Sequence, residues 1–227
     1  MTDNSNARFA AETGTGAQLR RLAGKSGPLI ALVALCLILS VLSPYFATAD
    51  NLTNVSRQVA FVALLAIGQT YVILTGGIDL SVAAVAALAA SVTTVLMTQP
   101  LALAGVQIGP MNPVLAIAIG LAVGTLCGAF NGWLIATFGI PDFIATLGTL
   151  TIYRGAALLV TNGLPVPSFQ SAEGGAPVAP FLIEAGTGSI LGVPISVLIT
   201  TIVALIAWWV LRYTAFGRAV FAVGGNR

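Results

Sequence analysis

The chain has 227 residues, of which only 7% are charged and 57% are hydrophobic, and its formal net charge at pH 7 is +2. A soluble domain carries roughly 25% charged residues, so this composition excludes an ordinary soluble fold and predicts that apolar surface faces lipid. The absence of histidine argues against a metalloenzyme or a Ser-His-Asp hydrolase, and the small net charge argues against a nucleic-acid partner.

Residues 1–27 are rich in Gly, Thr, Asn and Ala and show no apolar periodicity, which predicts a disordered cytoplasmic tail. Gly24-Lys25-Ser26 is not a phosphate-binding loop, because Leu19 stands where that motif requires glycine. The next run, Pro28 to Phe46, resembles a signal peptide with a cleavage site at Ala47-Thr48-Ala49, but its length favours an uncleaved span.

Six apolar runs approach the roughly 20 residues that a helix needs to cross a bilayer. Helices are predicted because isolated strands leave backbone groups unpaired in lipid. In chain order, the predicted spans are Pro28–Phe46, Val59–Thr75, Leu80–Met97, Pro113–Phe138, Phe143–Val160 and Val193–Leu211. The predicted fold class is therefore all-α, a polytopic bundle of about six transmembrane helices within residues 28–227. Cys36 and Cys127 lie inside these runs, which is typical of small buried residues rather than of a disulfide.

The placement of Lys and Arg predicts the orientation of the bundle. With the amino terminus in the cytoplasm, all basic residues except Arg57 and Arg154 lie in the tail or after the sixth span, on the cytoplasmic side. The long segment 161–192 then lies outside, and it contains Glu173 and Glu184 but no Lys or Arg. Both ends of the chain are therefore predicted to be cytoplasmic.

The segment Gly76–Val82 (GGIDLSV) joins the second and third predicted spans. Its two glycines allow the backbone to leave helical geometry. An ionisable residue such as Asp79 costs roughly 2.5 kcal/mol or more near the membrane centre, and usually lines a polar cavity or pairs with a cation. Asp79 in a tight cytoplasmic turn that caps the third helix is an equally valid interpretation, and the residues leave both open.

Arg154 is the other charge at possible membrane depth. It either faces a pathway or extends along its alkyl stem to the interface, and the pattern slightly favours the interface. Gln69 and Thr146 are mild polar features of the second and fifth spans. An ion pair between Asp79 and Arg154 is conceivable, but nothing in the sequence indicates one.

Glycines recur at every fourth position of the fourth span, and this spacing lets another helix approach one face closely. They are Gly120, Gly124, Gly128 and Gly132. After the sixth span, Phe216 stands among basic residues in Tyr213–Arg227. That pattern fits either anchoring at the membrane surface or docking into a groove of another protein.

In order and spacing, five segments resemble the permease subunits of ribose-, xylose- and arabinose-type bacterial ABC importers. They are GGIDLSV at Gly76–Val82, NGWLIATFGIPDFIATLGTL at Asn131–Leu150, YRGAALLVTNG at Tyr153–Gly163, GSILGVPISVLI at Gly188–Ile199 and YTAFGRAVFAVGGNR at Tyr213–Arg227. The resemblance covers about residues 28–227. Ala83 stands where the family usually has glycine, and the family continues with further helices, so the resemblance implies a fragment or truncated product.

The resemblance implies a transport subunit, not an enzyme, in the bacterial cytoplasmic (inner) membrane, moving a monosaccharide or related polyol. It implies a second permease copy, a cytoplasmic ATPase that uses ATP, and an extracytoplasmic sugar-binding protein, with no cofactor bound by this chain. The implied pathway residues are Gln69, Gly76, Gly77, Asp79, Ser81, Phe143, Thr146 and Arg154. The implied ATPase-coupling residues are Phe216, Gly217, Arg218, Gly224, Gly225 and Asn226. Asp142 receives no role.

Three other functions remain possible at this stage. A branched-chain amino-acid ABC permease is the nearest, although GGIDLS and VGGN favour the sugar branch. A secondary transporter or channel also uses broken helices and intramembrane charges, but it needs no element such as FGR…GGN for docking an ATPase. An intramembrane aspartyl protease with Asp79 and Asp142 as its acid pair is disfavoured, because the sequence has GGID where those enzymes have GxGD.

Overall fold

The computed structural model describes the backbone of residues 15–103, 106–108, 110–166 and 176–225, and the side chains of 27–100, 110–166 and 176–225. Within these residues the helices are α1 (Thr15–Leu42), α2 (Ala49–Leu74), α3 (Val82–Thr98), α4 (Pro113–Phe138), α5 (Asp142–Val160), α6 (Pro180–Thr187), α7 (Ile195–Tyr213) and α8 (Ala215–Gly225). Two short antiparallel hairpins pair β1 (Leu101–Leu103) with β2 (Val106–Ile108) and β3 (Ser189–Ile190) with β4 (Val193–Pro194). The predicted all-α class is confirmed.

Each predicted span coincides with an apolar helix. In the described part of the chain, α2, α4, α5 and α7 are long and apolar enough to cross a membrane, while α3 and the Gly27–Leu42 part of α1 are shorter apolar helices. At 1.5 Å per residue, the 17 residues of α3 extend about 25 Å. Large apolar side chains are exposed along these helices, Leu121 and Trp208 among them. The chain is therefore a multi-pass membrane protein.

The amino ends of the first two helices differ from the prediction. Helix α1 begins at Thr15, inside the segment 1–27 that was predicted to be disordered, and residues 1–14 lie outside the described residues. Helix α2 begins at Ala49 rather than Val59, and the Thr48 hydroxyl accepts the Asn51 N–H at 3.3 Å as a cap. Hydropathy identifies only the apolar part of a helix, whereas capping and helix propensity decide where the helix begins. Helix α1 also ends at Leu42, four residues before the predicted Phe46. The last four spans agree to within two residues.

The chain divides into two compact units, residues 1–55 and 56–227. In the second unit, α3 and α5 share a buried cluster of Ala84, Leu88, Tyr153 and Ala157, and Val123 and Cys127 of α4 pack against it. These are mostly small or medium side chains, so the three helices lie close together. This group of helices positions the polar residues described below.

The four glycines of α4 divide into two pairs. A Cβ at Gly120 would overlap Thr93 Oγ1 and lie 2.9 Å from the Ala89 carbonyl oxygen, and one at Gly124 would be in ordinary contact with α3. A Cβ at Gly128 or Gly132 would meet no atom of the described residues within 4 Å, so these two make no close helix contact there. The reason is a cleft that separates the helices at this end of α4. Packing at a subunit interface stays a prediction for them.

Helix α8 was not predicted as a helix. It follows α7 after a single residue, Thr214, whose hydroxyl accepts the Gly217 N–H at 3.2 Å. A Cβ at Gly217 would overlap the Leu211 carbonyl oxygen, so only glycine permits this close turn. The predicted coupling residues Phe216, Gly217, Arg218, Gly224 and Gly225 all lie on α8, while Asn226 lies outside the described residues.

Candidate functional site

Helix α2 ends in a defined backbone turn at the two glycines of the GGIDLSV segment. The Gly77 N–H donates to the Val72 carbonyl at 3.0 Å and the Gly76 N–H to the Ile73 carbonyl at 2.9 Å. Gly76 has φ +80°, the left-handed conformation that side chains disfavour. This is a Schellman arrangement, and it explains why the helix stops here in the middle of apolar sequence.

Asp79 lies in the turn that leads into α3. Its Oδ1 accepts two hydrogen bonds, from the Ser81 N–H and from the Ser81 hydroxyl, each at 2.7 Å. An aspartate that accepts the N–H two residues ahead forms an Asx turn, and α3 begins at Val82. The turn interpretation and the cavity interpretation are compatible, because the same side chain also lines a cleft.

Gln69 holds the backbone of Asp79. With its amide oriented to satisfy both neighbours, the side-chain nitrogen donates to the Asp79 carbonyl and the side-chain oxygen accepts the Asp79 N–H, each at 3.2 Å. Non-helical backbone at membrane depth is tolerated only where its polar groups find partners or water. Gln69 supplies partners for the backbone N–H and carbonyl of Asp79, so its role is to stabilise the irregular segment.

A line of buried polar side chains connects the irregular segment to two helices. Asn131 of α4 donates its amide N–H to the Ser81 hydroxyl at 2.8 Å. The Tyr153 hydroxyl of α5 lies 3.1 Å from Asn131 Oδ1 and 3.0 Å from the Cys127 carbonyl, and shares its proton between them. Ser81 is 0% and Asn131 4% exposed. The order of donors runs from Tyr153 through Asn131 and Ser81 to the Asp79 carboxylate.

Thr146 ties the same segment to the start of α5. Its hydroxyl donates to the Asp142 carbonyl at 2.7 Å and accepts the Leu80 N–H at 3.2 Å. Thr146 is 1% exposed, so neither bond competes with solvent. Side chains from α2, α4 and α5 therefore hold the seven-residue break in one conformation.

The break forms one wall of a cleft of about 240 Å³. Its polar lining consists of Thr75, Asp79, Asn131, Asp142 and Thr146, and its other lining residues are Val72, Gly77, Ile78, Gly128, Gly132 and Ile135. Among these described lining residues there is no Lys or Arg. The volume is slightly below the 300–1,000 Å³ of typical small-molecule sites, so the cleft suits part of a site rather than a whole one.

The predicted pathway residues divide into three groups. Gly77, Asp79 and Thr146 line the cleft, while Gln69, Gly76 and Ser81 support its wall through the bonds described above. Phe143 is 52% exposed and Arg154 is exposed on α5, and neither lines the cleft. No ion pair joins Asp79 to Arg154 in the described part of the chain. The transport role of all these residues remains a prediction.

Three residues of the site were given no place in the transport pathway from the sequence. Asn131 was noted only as part of a glycine pattern, Tyr153 was not considered by itself, and Asp142 was given no role. A signal for Asn131 was present in the sequence, because it is the one amide among the mostly apolar residues of α4 and such residues are costly in a membrane. Asp142 lies so close to Gly77 that a Cβ there would be 2.8 Å from its Oδ2.

A second, apolar groove of about 370 Å³ lies between α2 and α8. Its lining comes from Tyr71, Val72 and Thr75 of α2 and from Phe216, Ala219, Val220 and Val223 of α8. The Tyr71 and Phe216 rings are 6.0 Å apart, and Arg218 is exposed. The helix that carries the predicted coupling residues therefore lies directly against the end of α2.

Residues 51–227 match the family described as branched-chain amino acid transport system / permease component. The ribose import permease protein RbsC of Haemophilus influenzae is 35% identical over 209 residues, which is 92% of this chain and 60% of that protein. The RbsC protein of Bacillus subtilis is 39% identical over 202 residues, covering 89% and 58%. The D-allose transport system permease protein AlsC of Escherichia coli is 37% identical over 205 residues, covering 89% and 57%. The chain thus spans 60% or less of these relatives' length, and no solved structure matches it.

Proposed function

Because the chain belongs to the family of branched-chain amino acid transport system permease components, we propose that it is the transmembrane subunit of an ATP-driven importer of a monosaccharide or related polyol. It is a multi-pass protein of the inner membrane. Relatives named for ribose, D-allose and galactofuranose support the sugar assignment. A relative named for autoinducer 2 import shows that the group also includes other solutes.

The composition of the cleft carries the proposal. Its polar groups are hydroxyls, an amide and two carboxylates, and among its described lining there is no Lys or Arg. A sugar presents many hydroxyls, which amides, hydroxyls and carboxylates bind without a net charge on the solute. Such a lining at a broken pair of helices fits a neutral polyhydroxylated solute.

A branched-chain amino acid is the second candidate, favoured by the description of the family. Its ammonium group would pair with Asp79 or Asp142, but its carboxylate would find no Lys or Arg in the described lining and would have only the amino ends of α3 and α5 as partners. The uptake of labelled ribose and the uptake of labelled leucine are measured separately in cells that overproduce the full-length product. The two measurements distinguish a sugar permease from an amino-acid permease. Leucine uptake with no uptake of any sugar would reverse the assignment.

In this proposal the chain performs no covalent chemistry and binds no cofactor. A second permease copy completes the pathway, a cytoplasmic ATPase binds and hydrolyses ATP, and an extracytoplasmic binding protein delivers the solute. Transport requires two helix packings, open to opposite sides, whose populations shift when the ATPase closes. The exposed Phe216 and Arg218 of α8 are the residues that we place against the ATPase.

Co-purification tests this assembly. The tagged full-length product is extracted in mild detergent, and the proteins that remain bound to it are identified. We expect an ATPase with a phosphate-binding loop, and its loss when Phe216→Ala and Arg218→Asp are combined. Phe138→Ala is the matched control, because Phe138 and Phe216 are 60% and 59% exposed. A preparation free of any ATPase would instead indicate a secondary carrier or a channel.

A further inference from the structure

Gly224 brings the backbone of α8 directly onto the last residues of α2. A Cβ at Gly224 would overlap the Leu74 carbonyl oxygen and lie 3.0 Å from the Leu74 carbonyl carbon and 3.4 Å from Thr75 Cα. All three are backbone atoms, which cannot rotate aside as a side chain can. The two backbones are therefore in direct contact, and any displacement of α8 toward α2 at this point displaces the end of α2.

The part of α2 that receives this contact is also the wall of the polar cleft. Val72 and Thr75 line the cleft on one side and the α2–α8 groove on the other. The Val72 carbonyl accepts the Gly77 N–H that closes the turn, and Thr75 directly precedes Gly76. A single turn of helix thus separates α8 from the segment that carries Asp79.

The groove between the two helices leaves room for movement. It has a volume of about 370 Å³ and lies between the Gly224–Leu74 contact and the Tyr71–Phe216 ring pair. Its lining is mostly apolar, so α8 is able to rock in it without breaking a ladder of hydrogen bonds. Movement of α8 therefore reaches α2 at these two points among others.

We propose that Gly224 is a positioning residue: through its contact with Leu74, movement of α8 displaces the last turn of α2 and thereby reshapes the Asp79 wall of the cleft. The inference rests on the proposed function, since the force on α8 comes from the ATPase. It adds that the substrate cleft is regulated through the α2 turn, and that glycine is required at this point so that the two backbones touch.

The test uses the full transporter, with its ATPase and binding protein, reconstituted in vesicles. Gly224→Ala places a methyl group against the Leu74 carbonyl. Gly68→Ala is the control, because a Cβ at this helical glycine of α2 would meet no atom of the described residues within 4 Å. The readouts are ATPase retained on purification, ATP hydrolysed, and solute transported per ATP. A reporter cysteine, Ile78→Cys, with Cys36→Ala and Cys127→Ala, measures access to the cleft by its rate of reaction with a water-soluble maleimide.

We expect Gly224→Ala to retain the ATPase but to transport at least about fivefold less solute per ATP, at the lower end of typical coupling between sites. We also expect vanadate trapping with ATP to change the labelling rate of Ile78→Cys in the Gly224 protein, and not in the Gly224→Ala protein. Gly68→Ala is expected to behave as the parent protein in both assays.

Three results would overturn the inference while leaving the proposed function intact. They are normal coupling in Gly224→Ala, an equal loss of coupling in Gly68→Ala, or a labelling rate in the unaltered Gly224 background that nucleotide does not change. The third result needs no variant at Gly224. An unchanged labelling rate would therefore refute the inference even if Gly224→Ala does not assemble. Absence of any ATPase from the parent preparation would instead refute the proposed function.

Discussion

At the scale of single residues, the break between α2 and α3 depends on a line of polar groups that satisfy one another. The Asp79 carboxylate accepts from Ser81, the Ser81 hydroxyl accepts from Asn131, and Asn131 accepts from Tyr153. A buried polar group in an apolar medium costs free energy unless it is paired. The line therefore stabilises the break, and it leaves the second oxygen of Asp79 available to the cleft that this residue lines.

Replacing Asp79 separates its structural role from its charge. Asp79→Asn keeps a side-chain oxygen that accepts the Ser81 N–H, whereas Asp79→Ala removes the acceptor and is expected to cost about 0.5–2 kcal/mol, as the loss of a cap does. We expect Asp79→Asn to unfold within a degree or two of the parent and Asp79→Ala a few degrees lower, by thermal unfolding in detergent. Uptake is expected to fall in both, because both remove the negative charge from the cleft.

The outcome that would contradict this assignment is normal uptake in Asp79→Asn. In that case the carboxylate serves only to shape the turn before α3. The matched control is Asp50→Asn, which alters another acidic residue near the start of α2.

At the scale of elements, α4 has one end that packs and one end that is open. Gly120 lies against the α3 backbone, while Gly128 and Gly132 face the cleft. The repeat of glycine every fourth residue is uniform in the sequence, so the difference arises from the neighbour. Helix α3 begins only at Val82, and the segment before it is irregular. Among the described residues, no helix therefore packs closely on the part of that face that carries Gly128 and Gly132.

Paired alanine substitutions in α4 test this division. At Gly120 the added methyl group meets the Ala89 carbonyl oxygen at 2.9 Å, and overpacking of this kind costs about 1–3 kcal/mol. At Gly128 a Cβ would meet no atom of the described residues within 4 Å, and alanine is the better helix former by about 1 kcal/mol. We expect Gly120→Ala to lower the midpoint of thermal unfolding and Gly128→Ala to leave it unchanged or raise it. Equal destabilisation by both would show that α3 covers the whole face.

At the scale of the whole molecule, Arg154 is a charged residue on an otherwise apolar exposed surface of α5. It lies twelve residues after Asp142 and six before Val160, so its Cα is about 18 Å and 9 Å from the two helix ends. Side chains on a helix lean toward its amino terminus, which in the predicted orientation points Arg154 away from the nearer interface. A Cβ added at its neighbour, Gly155, would meet no atom of the described residues within 4 Å, so the space beside Arg154 is open in this chain. We therefore expect this face to meet water or the second permease copy rather than lipid.

Uptake by Arg154 variants distinguishes these environments. Arg154→Leu is expected to reduce uptake by at least about tenfold, the effect of roughly 1.4 kcal/mol, while Arg154→Lys retains part of it because the charge remains. Leu158→Ala is the control, since Leu158 is exposed on the same helix one turn further along. If Arg154→Leu transports normally and is more stable, the side chain reaches a lipid headgroup and the interface interpretation holds.

The sequence by itself determined the class of the protein. The sequence properties used were the scarcity of charge, the six apolar runs and the placement of basic residues. These properties are local or additive, so they predicted a helical membrane protein without any knowledge of how the helices pack. The helix bounds outside the apolar runs, at Thr15 and Ala49, were missed because caps and propensity decide them. The short helix α8 was missed because a close turn at Gly217 forms it.

Only the tertiary structure decided which residues form the site. Asn131 lies 50 residues from Ser81, and Thr146 lies 66 residues from Leu80, so no periodicity within one helix relates them. Asp142 lies at the cleft because the packing of α5 against the break brings it beside Gly77, whereas Arg154 lies about 18 Å further along the same helix. The contact between Gly224 and Leu74 arises in the same way: glycine at position 224 permits two backbones to approach closely, but where the whole helices lie decides which backbone it meets.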